Sequence, residues 1–210
     1  MKGVAREVSP RMFRNNLLEA LSRVHPSVPL FIFVPVIMVS LYFSKGLPIL
    51  LITTLFSAGL FFWTLTEYLM HRFIFHFEMK SVLGKRIHFI FHGVHHDYPN
   101  DPHRLVMPPS LSIPLSALFF FLFKIILGID WTFPFFAGFM LGYLIYDMLH
   151  YAIHHLNFQN YWFRKIKEKH MKHHFLDPNA EFGVSSGIWD YFFGTFTSKV
   201  KDALVKEVEI

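Results

Sequence analysis

Four long stretches without a charged residue or a histidine restrict the fold of this chain more than any other feature. They cover residues 26–44, 46–66, 105–123 and 131–146. Because a membrane-spanning helix needs about 20 mostly apolar residues, we predict four transmembrane helices, at about 27–44, 47–69, 110–128 and 131–150. Buried helices of a soluble protein are the alternative, but four such stretches in 210 residues leave too little polar chain to cover them. The expected fold class is therefore all-α and integral to a membrane.

The connections within the first and the last pair of spans are only a few residues long, which predicts two helical hairpins. The segments 1–25, 70–109 and 151–210 then emerge on one side of the membrane. Because nearly all Lys and Arg residues lie in these segments, the positive-inside rule places both termini and a helical cap in the cytoplasm. We expect one domain over 1–210, in a multi-pass protein of the bacterial inner membrane or the endoplasmic reticulum.

The segment 1–25 mixes apolar residues with arginines, a pattern typical of a helix that lies on the membrane surface. The net charge of +5 agrees with the bias of the basic residues and with attraction to anionic headgroups. No basic run carries stacking aromatics outside this membrane context, so nucleic-acid binding is not predicted. The absence of Cys excludes a disulfide scaffold, thiolate zinc sites and iron–sulfur clusters.

The 14 histidines are concentrated, since all but His25 lie between His71 and His174. Most belong to four clusters: HRFIFH at 71–76, HGVHH at 92–96, HYAIHH at 150–155 and HMKHH at 170–174. Spacings of three and four place side chains on one helix face, whereas adjacent side chains point about 100° apart. One HxxHH helix can therefore supply imidazoles to two neighbouring ions. We predict a dinuclear metal site in the cap, because so many packed rings without metal would suffer large desolvation and repulsion costs.

Two carboxylates near membrane depth are candidates to hold the ligating rings. A metal-bound histidine usually donates its second ring N–H to a carboxylate or a carbonyl. Glu67 lies one turn before His71, and Asp147 lies three residues before His150. An unpaired carboxylate is costly at this depth, so we expect Glu67 and Asp147 to accept hydrogen bonds from these histidines.

Four further histidines are not expected to be ligands. His88 precedes His92 by four residues. His155 follows His154, which shares a helix face with His150. We expect both to support the ligands or to face the substrate. His25 and His103 are isolated in the sequence and are expected to be ordinary polar residues near the membrane surface.

The order of the histidine motifs resembles that of the integral-membrane fatty acid hydroxylase superfamily. The order is HxxxxH, HxxHH and a final HxxHH, with an HxxxH at the end of the last span. This superfamily also contains sterol desaturases and carotenoid hydroxylases. RLVMPP at 104–109 and GVSSGIWDYFFGT at 183–195 resemble the fatty acid 2-hydroxylase branch in particular. The resemblance covers about residues 71–195.

The resemblance implies a non-haem dinuclear iron oxygenase that hydroxylates carbon 2 of a sphingolipid or ceramide acyl chain with O₂. The ligands that carry over by position are His71, His76, His92, His95, His96, His150, His154, His170, His173 and His174. Zinc can occupy the same cage in a purified protein. Some relatives carry an N-terminal cytochrome b5-like domain, and only about 25 residues precede the first span here. We therefore expect a separate electron donor of the cytochrome b5 or ferredoxin type.

Three residues are candidates for contact with the lipid. Tyr143 and Tyr146 lie near the end of the last span on the approach to the third cluster, and Arg104 lies at the membrane interface. An ordinary interfacial aromatic belt explains the two tyrosines equally well. An interfacial arginine often only extends its charge to water.

Two other functions remain open from the sequence. One is another oxidation of the same superfamily, on a sterol, a carotenoid or an alkyl lipid. The other is a membrane protein that binds or transports metal ions. Transport sites usually lie near the bilayer midplane, whereas the middle of each predicted span lacks histidine and acidic residues. The pattern therefore favours the oxygenase.

Overall fold

The computed structural model describes residues 8–77 and 80–197, and within them all regular secondary structure is helical. The helices are α1 (Asn16–Leu21), α2 (Val28–Phe43), α3 (Ile49–Met70), α4 (Val82–His88), α5 (Val94–Asp97), α6 (Pro109–Leu127), α7 (Ile129–His155), α8 (Tyr161–Phe175) and α9 (Ile188–Phe193). Two π-helical turns, His71–Phe75 and Phe89–Gly93, follow α3 and precede α5. Residues 1–7, 78–79 and 198–210, which belong to the predicted N-terminal helix and cap, lie outside the described residues.

Each predicted span coincides with an observed helix, but the lengths differ. α3 with its π-helical turn, α6 and α7 are long and apolar enough to cross a membrane. α2 has 16 residues, which is about 24 Å of helix against a hydrocarbon core of about 30 Å. The described residues thus contain three helices of spanning length and a shorter apolar one.

α7 is the central helix of the bundle, with α2, α3 and α6 packed around it. Of its apolar stretch 67% is buried, against 17% for α3 and 11% for α6. Gly59 of α3 and Gly138 of α7 let the two backbones touch, because a Cβ at either position would lie 1.9 Å from a carbonyl oxygen of the other helix. Small residues at such crossings are typical of membrane helices. This contact fixes the ends of α3 and α7 that carry histidines.

A single glycine makes the turn of the second hairpin. Gly128 joins α6 to α7 with a φ of 76°, a conformation that glycine adopts without steric cost. Residues 44–48 join α2 to α3. Both connections are as short as the sequence predicts, so the histidine-bearing ends of α3 and α7 lie on the same side of the bundle.

The described part of the N-terminal segment, residues 8–25, differs from the predicted surface helix, since within it only Asn16–Leu21 is helical. The side chain of Asn15 caps this short helix. The N–H groups of Met12 and Phe13 donate to the carboxylate of Glu19, at 2.9 and 3.1 Å. The chain before α1 therefore folds back onto the helix instead of extending it.

Candidate metal centre

Ten histidine side chains converge beside the ends of α3 and α7 in two groups of five. The first histidine group is His71, His76, His92, His96 and His173, and the second is His95, His150, His154, His170 and His174. Within each group the candidate ligand atoms lie within 4.8 Å of one another. These are the ten residues that the resemblance suggests as ligands, and the structure divides them between two adjacent positions.

The Nε2 atoms of each group have the spacing expected around one metal ion. Neighbouring Nε2 atoms are 3.0–3.2 Å apart in the first group and 2.9–3.1 Å apart in the second. Donor atoms at right angles on a shell of about 2.1 Å radius are separated by about 3.0 Å. The residues therefore fit a pair of metal ions held by nitrogen alone.

Two hydrogen bonds fix the tautomer of rings in the first group. Nδ1 of His71 donates to the carbonyl of Phe182 at 2.5 Å, and Nδ1 of His173 donates to the carbonyl of Ala180 at 2.7 Å. A neutral imidazole carries one proton, so Nε2 of each ring presents a lone pair to the centre of the group. A metal ion needs that lone pair, and the carbonyl bond also fixes the orientation of the ring.

The π-helical turn after α3 explains how His71 and His76 reach the same group. Residues five apart in a regular α-helix point about 140° apart. Here the N–H of His76 donates to the carbonyl of His71 at 3.1 Å, which closes a wider turn with one more residue. Both imidazoles thereby face the first group.

The α8 helix and the HGVHH segment each supply both groups. On α8, His170 and His174 are four residues apart and join the second group, while His173 joins the first. The HGVHH segment shows the reverse, since only its middle histidine, His95, joins the second group. This is the division that the spacing of HxxHH on a helix predicts.

Burial keeps these imidazoles neutral. Together with the repulsion of neighbouring rings, it lowers the pKa of His76 to about 2 and that of His96 to about 3. Burial also lowers the pKa of His173 to about 4, and it lowers the pKa values of His92 and His95 well below their ordinary range. The neutral ring is the form that binds metal, so the histidines of both groups are in the protonation state that a metal ion needs at neutral pH.

The two acceptor carbonyls belong to the loop at 180–185, which buried carboxylates hold in place. Glu67 accepts from the N–H groups of Val184 and Ser185, both at 2.7 Å, and from the Ser185 hydroxyl. Asp190 accepts two further N–H bonds from the loop, both at 2.9 Å. The sequence predicts a direct hydrogen bond from a histidine to Glu67. In the structure Glu67 instead accepts from the loop, and the carbonyls of that loop accept from the histidine rings.

A cavity of about 310 Å³ lies beside the two groups. Histidines of both groups form part of its wall, next to Tyr146 and Asp147. The rest of its lining is mostly apolar and comes from the N-terminal segment, the second π-helical turn and residues 104–111. The cavity can hold an apolar molecule directly against the histidines.

Asp147 places a buried acceptor at this cavity. Its side chain is 1% exposed, and Oδ1 accepts from the N–H of Met107 at 3.4 Å. Oδ2 makes no hydrogen bond of normal geometry with the described residues, and the hydroxyl of Tyr143, one turn earlier, is a side-chain neighbour of this carboxylate. The expected bond between Asp147 and a ligating histidine is therefore not what the structure shows, and this oxygen is available to a bound molecule.

Smaller apolar voids extend from the cavity into the bundle between α3, α6 and α7. Trp63, Leu115 and Phe119 line them, and they share Met107 with the cavity. Tyr143 lines the deeper void and contacts the edge of the Trp63 ring at 5.4 Å. These voids measure only about 20 and 10 Å³, so the space for a bound molecule lies in the cavity itself.

The other predicted residues lie outside the two groups. The ring of His88 is 6.4 Å from that of His76, and the ring of His155 stacks on Tyr151 at 4.6 Å. His25 and His103 neighbour each other away from the cage, at 6.4 Å between ring centroids. Arg104 borders the cavity, but its guanidinium donates to Ser9, Ser22 and Glu19.

Comparison with known families decides the class of the molecule. The family model described as fatty acid hydroxylase matches residues 56–195, a segment that includes both histidine groups. This chain belongs to the fatty acid hydroxylase family. The resemblance inferred from the order of the histidine motifs is thereby confirmed.

The relatives of this chain are named as fatty acid or fatty acyl hydroxylases, two of them for ceramide or dihydroceramide. The chain is 43% identical over 145 residues to the ceramide very long chain fatty acid hydroxylase of Saccharomyces cerevisiae, which covers 68% of this chain and 38% of that protein. It is 36% identical to a dihydroceramide fatty acyl 2-hydroxylase of Arabidopsis thaliana, over 91% of this chain and 82% of that protein. It is also 36% identical to human fatty acid 2-hydroxylase, over 89% and 56%.

A solved structure has the same architecture. It is full-length Scs7p, of which only the hydroxylase domain is visible, and it matches with a TM-score of 0.83 at 38% identity. The match covers 87% of this chain and 70% of that chain. Our hydroxylase thus spans about two fifths of the yeast relative's sequence but most of the visible hydroxylase fold.

Some residues that shape the site of this hydroxylase gave no sequence signal of their own. The carbonyls of Ala180 and Phe182 are backbone groups, which no side-chain pattern reveals. Asp190, which is fully buried, lies inside the GIWDYFFG segment, and that segment was used only for its resemblance to a branch of the family. An acidic residue within such an apolar run is the signal that could have identified it.

Proposed function

We propose that this hydroxylase inserts one oxygen atom of O₂ at carbon 2 of the acyl chain of a ceramide-type lipid, with two iron ions as the cofactor. The observation that carries the proposal is the pair of five-histidine groups beside an apolar cavity. The names of the relatives support the substrate class, and the match to the Arabidopsis protein extends over 82% of its length.

Iron suits this cage and this reaction. Imidazole is a good ligand for iron, and zinc has no redox chemistry. The reaction converts a C–H bond and O₂, with two electrons and two protons, into C–OH and water. Bound iron supplies the redox chemistry that activates O₂. Zinc in the same cage would leave the protein folded but without this activity.

The side chains position the lipid and exclude water. The apolar lining of the cavity accommodates the part of the acyl chain next to the histidines. Oδ2 of Asp147 accepts a hydrogen bond from the amide N–H or a hydroxyl next to the acyl carbonyl. The ring of Tyr146 stacks on that of His150, with 5.7 Å between the ring centroids. Both rings form part of the cavity wall. Carbon 2 then lies beside the histidines, where proximity and a dry site favour reaction.

The proposal includes the topology. α2, α3, α6 and α7 are taken as four spans in two hairpins of a single domain over 1–210, with the cage, both termini and the cap in the cytoplasm. The bias of Lys and Arg supports this orientation. α2 is short, but a short helix is accommodated by local thinning of the bilayer. A separate cytochrome b5 or ferredoxin in the cytoplasm would supply the two electrons.

Expression in a host without 2-hydroxylated lipids, together with such an electron donor, tests the proposal. Mass spectrometry should detect ceramides that gain one oxygen at carbon 2, and metal analysis should detect two irons per chain. His150→Ala should abolish the product, whereas His25→Ala, which lies outside both groups, should retain it. An iron-loaded chain with a working donor and no 2-hydroxylated lipid would contradict both the substrate and the position.

A further inference from the structure

Residues 8–23, the N-terminal strap, form one wall of the cavity beside the histidine groups. Met12, Phe13, Leu18 and Leu21 contribute apolar side chains to this wall. Histidines of both groups belong to the same cavity. A molecule in the cavity therefore lies between the strap and the metal positions.

A buried polar network attaches the strap to the rest of the protein. The guanidinium of Arg104 donates to the Glu19 carboxylate at 2.7 Å, to the Ser9 hydroxyl at 2.7 Å and to the Ser22 hydroxyl at 2.9 Å. Asp101 accepts from the N–H and the hydroxyl of Ser9 at 3.0 and 2.7 Å. These polar groups are engaged with one another, so the strap presents mainly hydrocarbon to the cavity.

The short helix of the strap has a cavity face and an outer face. Leu18 and Leu21 are three residues apart, which places them on one face, and both line the cavity. Leu17 is not part of the lining and is 67% exposed. The Ser110 hydroxyl donates to the carbonyl of Leu21 at 3.3 Å, which holds the cavity face against the start of α6.

We propose that Leu18 and Leu21 are specificity-determining residues that contact the acyl chain close to the reacting carbon. The identity of the ligand as an acyl lipid rests on the proposed function. Because the wall is apolar and its charges are paired, it discriminates by the shape of the hydrocarbon and not by the headgroup. One methyl group in an apolar pocket changes discrimination by about 10–200-fold, so truncating these leucines changes which chains fit.

A selectivity ratio tests the contact without depending on the amount of folded enzyme. The ratio is kcat/KM for a dihydroceramide with a methyl branch near carbon 4 of its acyl chain, divided by kcat/KM for the unbranched lipid. Leu21→Ala enlarges the cavity and should raise this ratio by about 10-fold, while the matched control Leu17→Ala should stay within about twofold of the wild type. An equal change in both variants, or no change in either, overturns the proposal.

Thiol labelling tests the same contact without turnover. The chain has no Cys, so Leu18→Cys and Leu17→Cys each introduce a single thiol. We would measure the rate at which N-ethylmaleimide labels each thiol without a lipid, in the presence of dihydroceramide and in the presence of palmitic acid. An acyl lipid in the cavity should slow labelling of Leu18→Cys by about fivefold or more and leave Leu17→Cys within about twofold.

The outcomes separate the two proposals. A wild-type chain that makes no 2-hydroxylated lipid, combined with selective protection of Leu18→Cys, refutes the proposed function and supports the strap contact. Product formation without selective protection refutes the strap contact alone. The absence of both product and protection refutes both.

Discussion

Replacing Glu67 by Ala should remove a metal ion from the first histidine group although Glu67 touches no histidine. Glu67 is 3% exposed and holds Val184 and Ser185 of the loop at 180–185. The same loop carries the carbonyl that accepts from Nδ1 of His71. The substitution therefore acts on the metal position through the loop and the orientation of one ring.

The structure gives the size of two separate effects. Glu67→Ala leaves the buried N–H of Val184 and the part-buried N–H of Ser185 without an acceptor. An unpaired buried group costs about 1–3 kcal/mol, so the protein should lose at least that much stability. Loss of the groups that orient a ligand typically costs 10–100-fold in metal affinity, or about 1.4–2.8 kcal/mol. Because both observed carbonyl bonds belong to the first group, the affected ion is the one held there.

Metal content at controlled free metal concentration is the assay. Purified protein would be equilibrated against a graded chelator, and bound metal per chain would be measured by mass spectrometry. We expect two ions in the wild type and about one in Glu67→Ala at a free concentration that just saturates the wild type. Glu67→Gln keeps an amide oxygen that can accept from the two N–H groups, so it should retain more metal than Glu67→Ala. It also keeps the test informative if Glu67→Ala does not fold.

The matched control is Glu168→Ala. This glutamate is exposed on α8 and pairs with Lys165 and Lys172, contacts that contribute little to stability. Its metal content and thermal unfolding should match the wild type. If Glu67→Ala and Glu67→Gln both bind two ions with wild-type affinity, the loop does not position the ligand and the reasoning fails.

Three further predictions concern packing, the strap and pH. Gly138→Val should lower stability by about 1–3 kcal/mol, seen as a lower thermal midpoint in detergent, while Gly46→Ala, with no atom within 4 Å of an added Cβ, should leave it unchanged. Arg104→Met removes the cation that donates to Glu19 Oε1 but leaves the N–H bonds from Met12 and Phe13. The loss should therefore be below the roughly 3–5 kcal/mol of a fully unpaired buried charge, and adding Glu19→Gln should recover part of it. Burial raises the pKa of Glu19, but bonds from Phe13 and Arg104 outweigh it and hold the pKa below its ordinary value. Its contribution is therefore complete above about pH 4.3 and disappears as the pH falls through the folded pKa, which a spin label on the strap would report as increased mobility.

Local spacing predicted well which histidines come together, because most members of the two groups follow helix geometry. His170 and His174, four residues apart, need only a regular helix to face one ion. His71 and His76 are different, since five residues separate them and a regular helix would turn them apart. Their inclusion came from a resemblance, and only the structure shows the π-helical turn that makes it possible.

The supporting residues were predicted less well because their partners are distant in the sequence. Glu67 was assigned to His71, one turn away, but its partners are 117 and 118 residues later. Arg104 was assigned to the substrate, but it pairs with Glu19, 85 residues earlier. Neighbours in sequence are a poor guide where a loop or a strap folds back over the site.

The helical bundle was predictable in outline but not in detail. Uncharged stretches located α2, α3, α6 and α7 to within a few residues at most ends. α7 continues to His155, past the predicted end at residue 150, and its His150 and His154 face the second histidine group. The amphipathic pattern of 1–25 suggested one surface helix, whereas the carboxylate of Glu19 takes the N–H groups that such a helix would have used.

The distribution of the candidate ligands would make metal binding part of the folding of the cap. The segment 71–76 after α3 supplies only the first histidine group and α7 only the second, whereas the HGVHH segment and α8 supply both. The buried side chains of α8 are Phe163, His170 and His173, and two of the three are candidate ligands. Ile166 and Met171 add apolar contacts with the core but are only partly buried. Neutral imidazoles alone pack without strong attraction, and two ions would connect α8 to both membrane helices at once. The free energy of metal binding is then free energy of folding for the cap, and the same rings that prepare the reaction also hold the wall of the cavity in place.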